Sequence, residues 1–129
     1  MLARRALLTA AFVLVLVARS GVSAAAQPFD VTAFAEAQRQ GRLVLVAVDA
    51  RWCPVCLVQR TILWALMRQD RYKPIAPLVV DFEEQKSIVR YFGAQSQSTL
   101  IVFRGGAERG RSVGETNDRS IAALLDRIL

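Results

Sequence analysis

Leu43 to Val48 is an unbroken apolar run rich in valine, set between Gly41 and the polar group Asp49-Ala50-Arg51. Apolar residues at every position, rather than at every second one, are expected of a strand covered on both faces. Such a strand needs helices above and below it, and the flanking segments can supply them. Before it, Asp30 can cap a short helix through Phe34 and Ala37 to Gln40, with Gly41 as its stop. After it, Trp52 and Cys53 lead directly to Pro54. Proline suits the first turn of a helix, where its missing N–H removes no bond, so a helix is predicted from Pro54 to about Met67. Leu57, Ile62, Leu63, Leu66 and Met67 are expected to form its broad apolar face.

The remaining chain continues the alternation. Tyr72 to Pro77 reads as a proline-containing connection, and Leu78 to Phe82 as a second buried strand ended by Glu83-Glu84. Gln85 to Phe92 is a short helix, with Gly93 placed for a left-handed stop. Thr99 to Phe103 is a third strand, and Arg104-Gly105-Gly106-Ala107 turns the chain. Glu108 to Val113 is a more polar fourth strand, suited to a sheet edge, and Asn117 caps a last helix through Ile121, Leu124, Leu125 and Ile128. Strands separated by helices pair in parallel through right-handed crossovers, whereas the tight turn makes the last two antiparallel. The fold class is therefore α/β, with a central four-stranded mixed sheet and helices on both faces.

The first 26 residues read as a segment outside this fold. Arg4 and Arg5 form a basic start, Ala6 to Ala18 is apolar apart from Thr9, and Val22 to Ala26 offers small residues. These are the three parts of a secretory signal peptide, and the apolar stretch is short of the roughly 20 residues of a membrane span. Cleavage is expected after Ala26, with Ala24 as the alternative site and an uncleaved membrane anchor as the alternative fate. One domain then spans residues 27–129, in the periplasm or otherwise secreted. Loss of Arg4, Arg5 and Arg19 lowers the net charge from +6 to about +3. The remaining charges are interspersed, with no basic stripe carrying interleaved aromatics, so nucleic acid is not an expected partner.

Histidine is absent, which removes the commonest general base and the commonest metal ligand together. The two cysteines, Cys53 and Cys56, close only a four-residue loop. A disulfide across so short a loop stabilises a fold by about 2 kcal/mol in the chain-entropy account, little for a structural staple. A zinc site needs about four ligands, and no second cysteine pair is present. Two inert core cysteines are the other bland reading. Against it stands their place at a helix start, where unpaired N–H groups and the helix dipole favour the thiolate, the species that attacks disulfides. Cys53 is accordingly read as the attacking thiol and Cys56 as the buried resolving one.

Trp52-Cys53-Pro54-Val55-Cys56, with the order of elements around it, resembles the thioredoxin family. The likeness extends over nearly all of residues 27–129, through Val44-Leu45-Val46, Tyr91-Phe92-Gly93, Thr99 to Phe103, and Ser112-Val113-Gly114. It implies thiol–disulfide oxidoreductase activity on protein thiols and disulfides, no cofactor beyond the redox-active Cys53–Cys56 disulfide, no resident metal, and a monomer. Three positions depart from the family pattern. Ser98 stands where members usually carry a cis-proline before Thr99; a cis bond before a non-proline residue costs about 2.5–4 kcal/mol, so Gln97–Ser98 is expected to be trans. Its hydroxyl is either a donor to the Cys53 thiolate or that of a plain loop serine. Ala47 stands where many members bury an aspartate, and Val79 where its lysine neighbour lies. Asp49 is then either a substitute proton relay or a turn residue. Thr61 replaces a helix-kinking proline.

Pro54-Val55 between the cysteines implies an intermediate redox potential, proline pointing towards oxidant-type members while Val55 offers no charge to hold a thiolate. Two roles follow: oxidation or reshuffling of secreted proteins, or reductive electron transfer to exported thiols, as in cytochrome c maturation, fed by a membrane thiol electron carrier. A non-catalytic scaffold that binds a partner, or Cu(I) through Cys53 and Cys56, is the alternative of a different class.

Overall fold

The computed structural model describes residues 26–129, so the expected leader up to residue 25, with the alternative cleavage site after Ala24, lies outside the described residues. Helices α1 (Val31–Arg39), α2 (Pro54–Met67), α3 (Lys86–Tyr91) and α4 (Asp118–Asp126) alternate with strands β1 (Gln27–Pro28), β2 (Leu43–Asp49), β3 (Ile75–Asp81), β4 (Thr99–Arg104) and β5 (Ala107–Val113). The strands form one sheet in the order β1-β3-β2-β4-β5. β2 is parallel to β3 and antiparallel to β4, and β5 closes the far edge antiparallel to β4.

The sheet has five strands rather than four. The additional strand, β1, is two residues long and parallel to β3, too short to show any periodicity. β3 also begins earlier than expected, at Ile75, and takes Pro77 into the strand in register with Leu45. The Val79 carbonyl accepts from the Phe29 N–H, 2.7 Å, so it points to the β1 side. Pro77, two residues earlier, turns its nitrogen the same way, beyond the reach of β1, and no ladder bond is lost.

Alternation along the strands divides the core into two layers. Val44, Val46 and Val48 of β2 pack with Ile101 and Phe103 against Phe34 of α1 and Val89 and Phe92 of the α3 segment. Leu45 of β2 packs with Leu100 and Val102 against Leu66 and Met67 of α2 and Ile121, Leu124 and Leu125 of α4. The helix ends follow local chemistry. Asp30 and Asn117 accept from the N–H groups of Ala33 and Ser120, and Gly41 and Gly93 take positive φ (66° and 61°) just past α1 and α3. At α3 the Ala94 and Gly93 N–H groups reach back to Val89 and Arg90, the paired bonds of a Schellman stop.

Candidate active site

β2 delivers Cys53 to the start of α2. The Cys53 N–H donates to the Ala50 carbonyl, 3.1 Å, which turns the chain sharply after the strand. Cys53 is the N-cap, with extended dihedrals (φ −85°, ψ 111°), and Pro54 occupies the first turn. Its Sγ accepts from the Cys56 N–H at 3.1 Å. One of the donors that a helix start leaves unpaired is thus aimed at this sulfur, an arrangement that stabilises negative charge there. Both cysteines are unpaired thiols.

Cys53 is only 4 % exposed, less open than a helix start suggests, and Cys56 is 2 % exposed. They pack with Ala50, and Val55 and Phe82 close over them. Burial, reinforced by the hydrogen bond with Cys53, pushes the Cys56 thiol up to about 12. Cys56 therefore stays protonated at neutral pH, which suits a second, resolving step rather than the first attack. Trp52 is 60 % exposed beside the pair, its Nε1 donating to Glu83 at 3.2 Å.

Ser98 adopts a left-handed backbone, φ 58°, and no peptide bond among the described residues is cis. The Gln97–Ser98 bond is trans. The Ser98 hydroxyl donates to the Gln97 carbonyl, 2.6 Å, and not to the Cys53 sulfur. Its N–H donates to Val48 of β2, 2.8 Å, and its carbonyl accepts from the Gly114 N–H, 3.0 Å. Thr99 opens β4 opposite Val48, its hydroxyl donating to the Ser96 carbonyl. The segment is thus built around hydrogen bonds that a proline at position 98 could not donate.

Gln59 is a positioning residue that sequence reasoning missed. It lies on the buried side of α2 and is 3 % exposed. Its amide donates to the carbonyls of Ser98, 3.1 Å, and Glu115, 3.0 Å, tying α2 to the loops before β4 and after β5. The available signal was a lone amide one turn after Cys56 on a helix flank that is otherwise apolar.

Asp49 ends β2, and both its carboxylate oxygens accept from Arg60 Nη1, at 2.6 and 2.5 Å. This pair clips α2 to the strand. Asp49 and Cys56 line one cavity of about 510 Å³ between α2 and the sheet. Ala47 and Val79, register partners on β2 and β3, also line it. Their small side chains leave this space open beneath Cys56, where an aspartate–lysine pair would project.

A sequence model of the thioredoxin family matches residues 25–127. The chain is 35 % identical over 94 residues to the thioredoxin of Chlamydia muridarum, covering 73 % of this chain and 89 % of that one. It is 29 % identical to thioredoxin 1 of a Nostoc species, covering 84 % of this chain and all of that one. Among solved structures, Trxlp from Edwardsiella tarda superposes with a TM-score of 0.76 at 39 % identity, covering 78 % of this chain and 98 % of that chain. The Cys53–Cys56 pair at the start of α2, the β1-β3-β2-β4-β5 sheet and these matches agree: the chain belongs to the thioredoxin family.

Proposed function

We propose that the protein is an exported thiol–disulfide oxidoreductase in which Cys53 attacks and Cys56 resolves. The observation that carries this reading is the Cys56 N–H donated to Cys53 Sγ at the helix start. In the reductive direction the Cys53 thiolate attacks one sulfur of a substrate disulfide, forming a mixed disulfide and releasing the other sulfur as a thiolate, which takes up a proton. Cys56 then loses its proton and attacks Cys53 Sγ. The Cys53–Cys56 disulfide forms and the second substrate thiol leaves, so two electrons and two protons have passed to the substrate. Burial keeps Cys56 protonated, so its proton must leave during the second step. Asp49 lines the same cavity as Cys56 and is the carboxylate this reading offers as acceptor, in competition with its pairing to Arg60.

The signal-like leader supports periplasmic or secreted action on protein thiols, and a membrane thiol electron carrier would return the pair to the dithiol. Transfer to exported thiols, including those of cytochrome c maturation, suits a domain without an inserted substrate-binding module. Reduction of insulin disulfides by wild type, Cys53→Ser and Cys56→Ser tests the chemistry. Wild type should turn over, Cys53→Ser should be inert, and Cys56→Ser should accumulate a mixed disulfide on Cys53. Equal activity of Cys53→Ser and wild type would overturn the assignment.

A further inference from the structure

The solvent pole of α2 carries large apolar side chains. At about 3.6 residues per turn, Leu57, Thr61, Trp64 and Arg68 fall along one line, opposite Gln59 and Leu66, which are buried. Leu57 is 58 % and Trp64 66 % exposed, with Val58 exposed beside them. A surface helix ordinarily carries its polar residues on this side, so the exposed large side chains need a reason.

Charge along the same stretch has one sign. From Ala50 to Gln69 there are three arginines and no acid, and Arg60 and Arg68 flank Trp64. Arg68 stacks on the Trp64 ring, 4.5 Å from guanidinium carbon to centroid. Arg60 pairs with Asp49, which leaves Arg68 as the cation of the stripe without a carboxylate partner among the described residues. The stripe also runs into the cavity beneath α2, whose lining includes Arg60, Trp64, Arg68 and, at the sheet edge, Ala26. Ala26 is where the N-terminal segment with its apolar stretch Ala6 to Ala18 joins the fold.

We propose that the outer face of α2 docks on an anionic phospholipid surface. Leu57, Val58 and Trp64 enter the headgroup layer, and Arg68 meets the lipid phosphates. Exposed leucine and tryptophan framed by arginine are the composition of an interfacial helix. A protein partner would favour mixed charge along the helix, whereas a stretch from Ala50 to Gln69 with arginines and no acid complements the negative potential of a bilayer. Docking is independent of thiol exchange, so a failure of either leaves the other standing.

Among the described residues every strand and helix lies within 27–129, so a chain starting at Gln27 keeps this domain while removing the apolar leader, which would bind lipid by itself. This chain is floated with vesicles of phosphatidylcholine alone and with phosphatidylcholine containing phosphatidylglycerol. It should float with the anionic vesicles, less at raised salt, and in a Trp52→Phe background the emission of Trp64 should shift to the blue. Leu57→Ser and Trp64→Ser should each lower partitioning about tenfold, and Arg68→Gln about fivefold. These side chains are exposed, and unchanged thermal unfolding verifies that each variant is folded. No flotation with anionic vesicles, or flotation unaffected by Leu57→Ser and Trp64→Ser, overturns the proposal and turns attention to a protein partner. Equal flotation with neutral vesicles overturns the phosphate role of Arg68.

Discussion

Restoring the family's usual proline at position 98 should damage this protein. Ser98 sits at φ 58°, whereas proline is locked near −65°, so Ser98→Pro demands a swing of about 120°. It also deletes the N–H that donates to the Val48 carbonyl at 2.8 Å, in the middle of the sheet. Losing that bond costs about 1 kcal/mol, rising to about 3 kcal/mol if the carbonyl stays buried and unpaired. The swing further displaces the Ser98 carbonyl from Gly114 and Gln59, at 3.0 and 3.1 Å. Together these terms give a destabilisation of about 3 kcal/mol or more. Ser98→Gly should by contrast be nearly neutral. It relieves about 1 kcal/mol of left-handed strain and forfeits a hydroxyl bond of similar worth. Urea unfolding followed by tryptophan fluorescence reads both variants. With a slope near 1 kcal/mol per molar for a domain of this size, the Ser98→Pro midpoint should fall by about 3 M or more. A Ser98→Pro variant as stable as wild type would refute the reasoning, because it would mean that the loop accommodates proline without needing the Ser98 N–H.

Two further outcomes follow from the site. Gln59→Leu removes both amide bonds while keeping the volume apolar; stability should fall by about 2 kcal/mol, and amide exchange should quicken at Gly114 to Thr116, which an unaltered exchange pattern would contradict. Cys56 is held protonated up to about 12 in the fold, against an ordinary value of 9.0, so its unfolded thiol ionises first as pH rises. Its contribution to the dithiol protein is thus fully present below about pH 9 and lost progressively towards about pH 12. Tyr72, raised by burial and by its bond to Asp126, acts in the same direction, so the comparison to make is wild type against Cys56→Ala, whose urea midpoint should decline less steeply above about pH 9.

Local chemistry made much of this fold legible before its structure. Asp30, Asn117, Gly41 and Gly93 terminate helices where their side chains or backbone freedom predict, and Cys53 caps α2 directly after a strand that is apolar on both faces. What escaped were features decided by neighbours. β1 exists because β3 offers it an edge, and Pro77 is tolerated inside β3 because its nitrogen faces past the end of β1. Leu57 was expected in the buried face of α2 and lies on the solvent side. A helix apolar on nearly every side carries little periodic signal to orient it, and tertiary packing chose the face. The left-handed turn at Ser98 and the tether from Gln59 likewise depend on carbonyls far along the chain, at Val48 and Glu115, which no local pattern announces.

The division of labour between the two thiols is the central claim, and site-resolved alkylation tests it most directly. The dithiol protein is treated with iodoacetamide across a pH series, and modification at Cys53 and Cys56 is followed separately by peptide mass. Cys53 should be the residue modified at neutral pH, with Cys56 silent until well above about pH 9. Modification of Cys56 at neutral pH, at a rate equal to or faster than that of Cys53, would contradict the account.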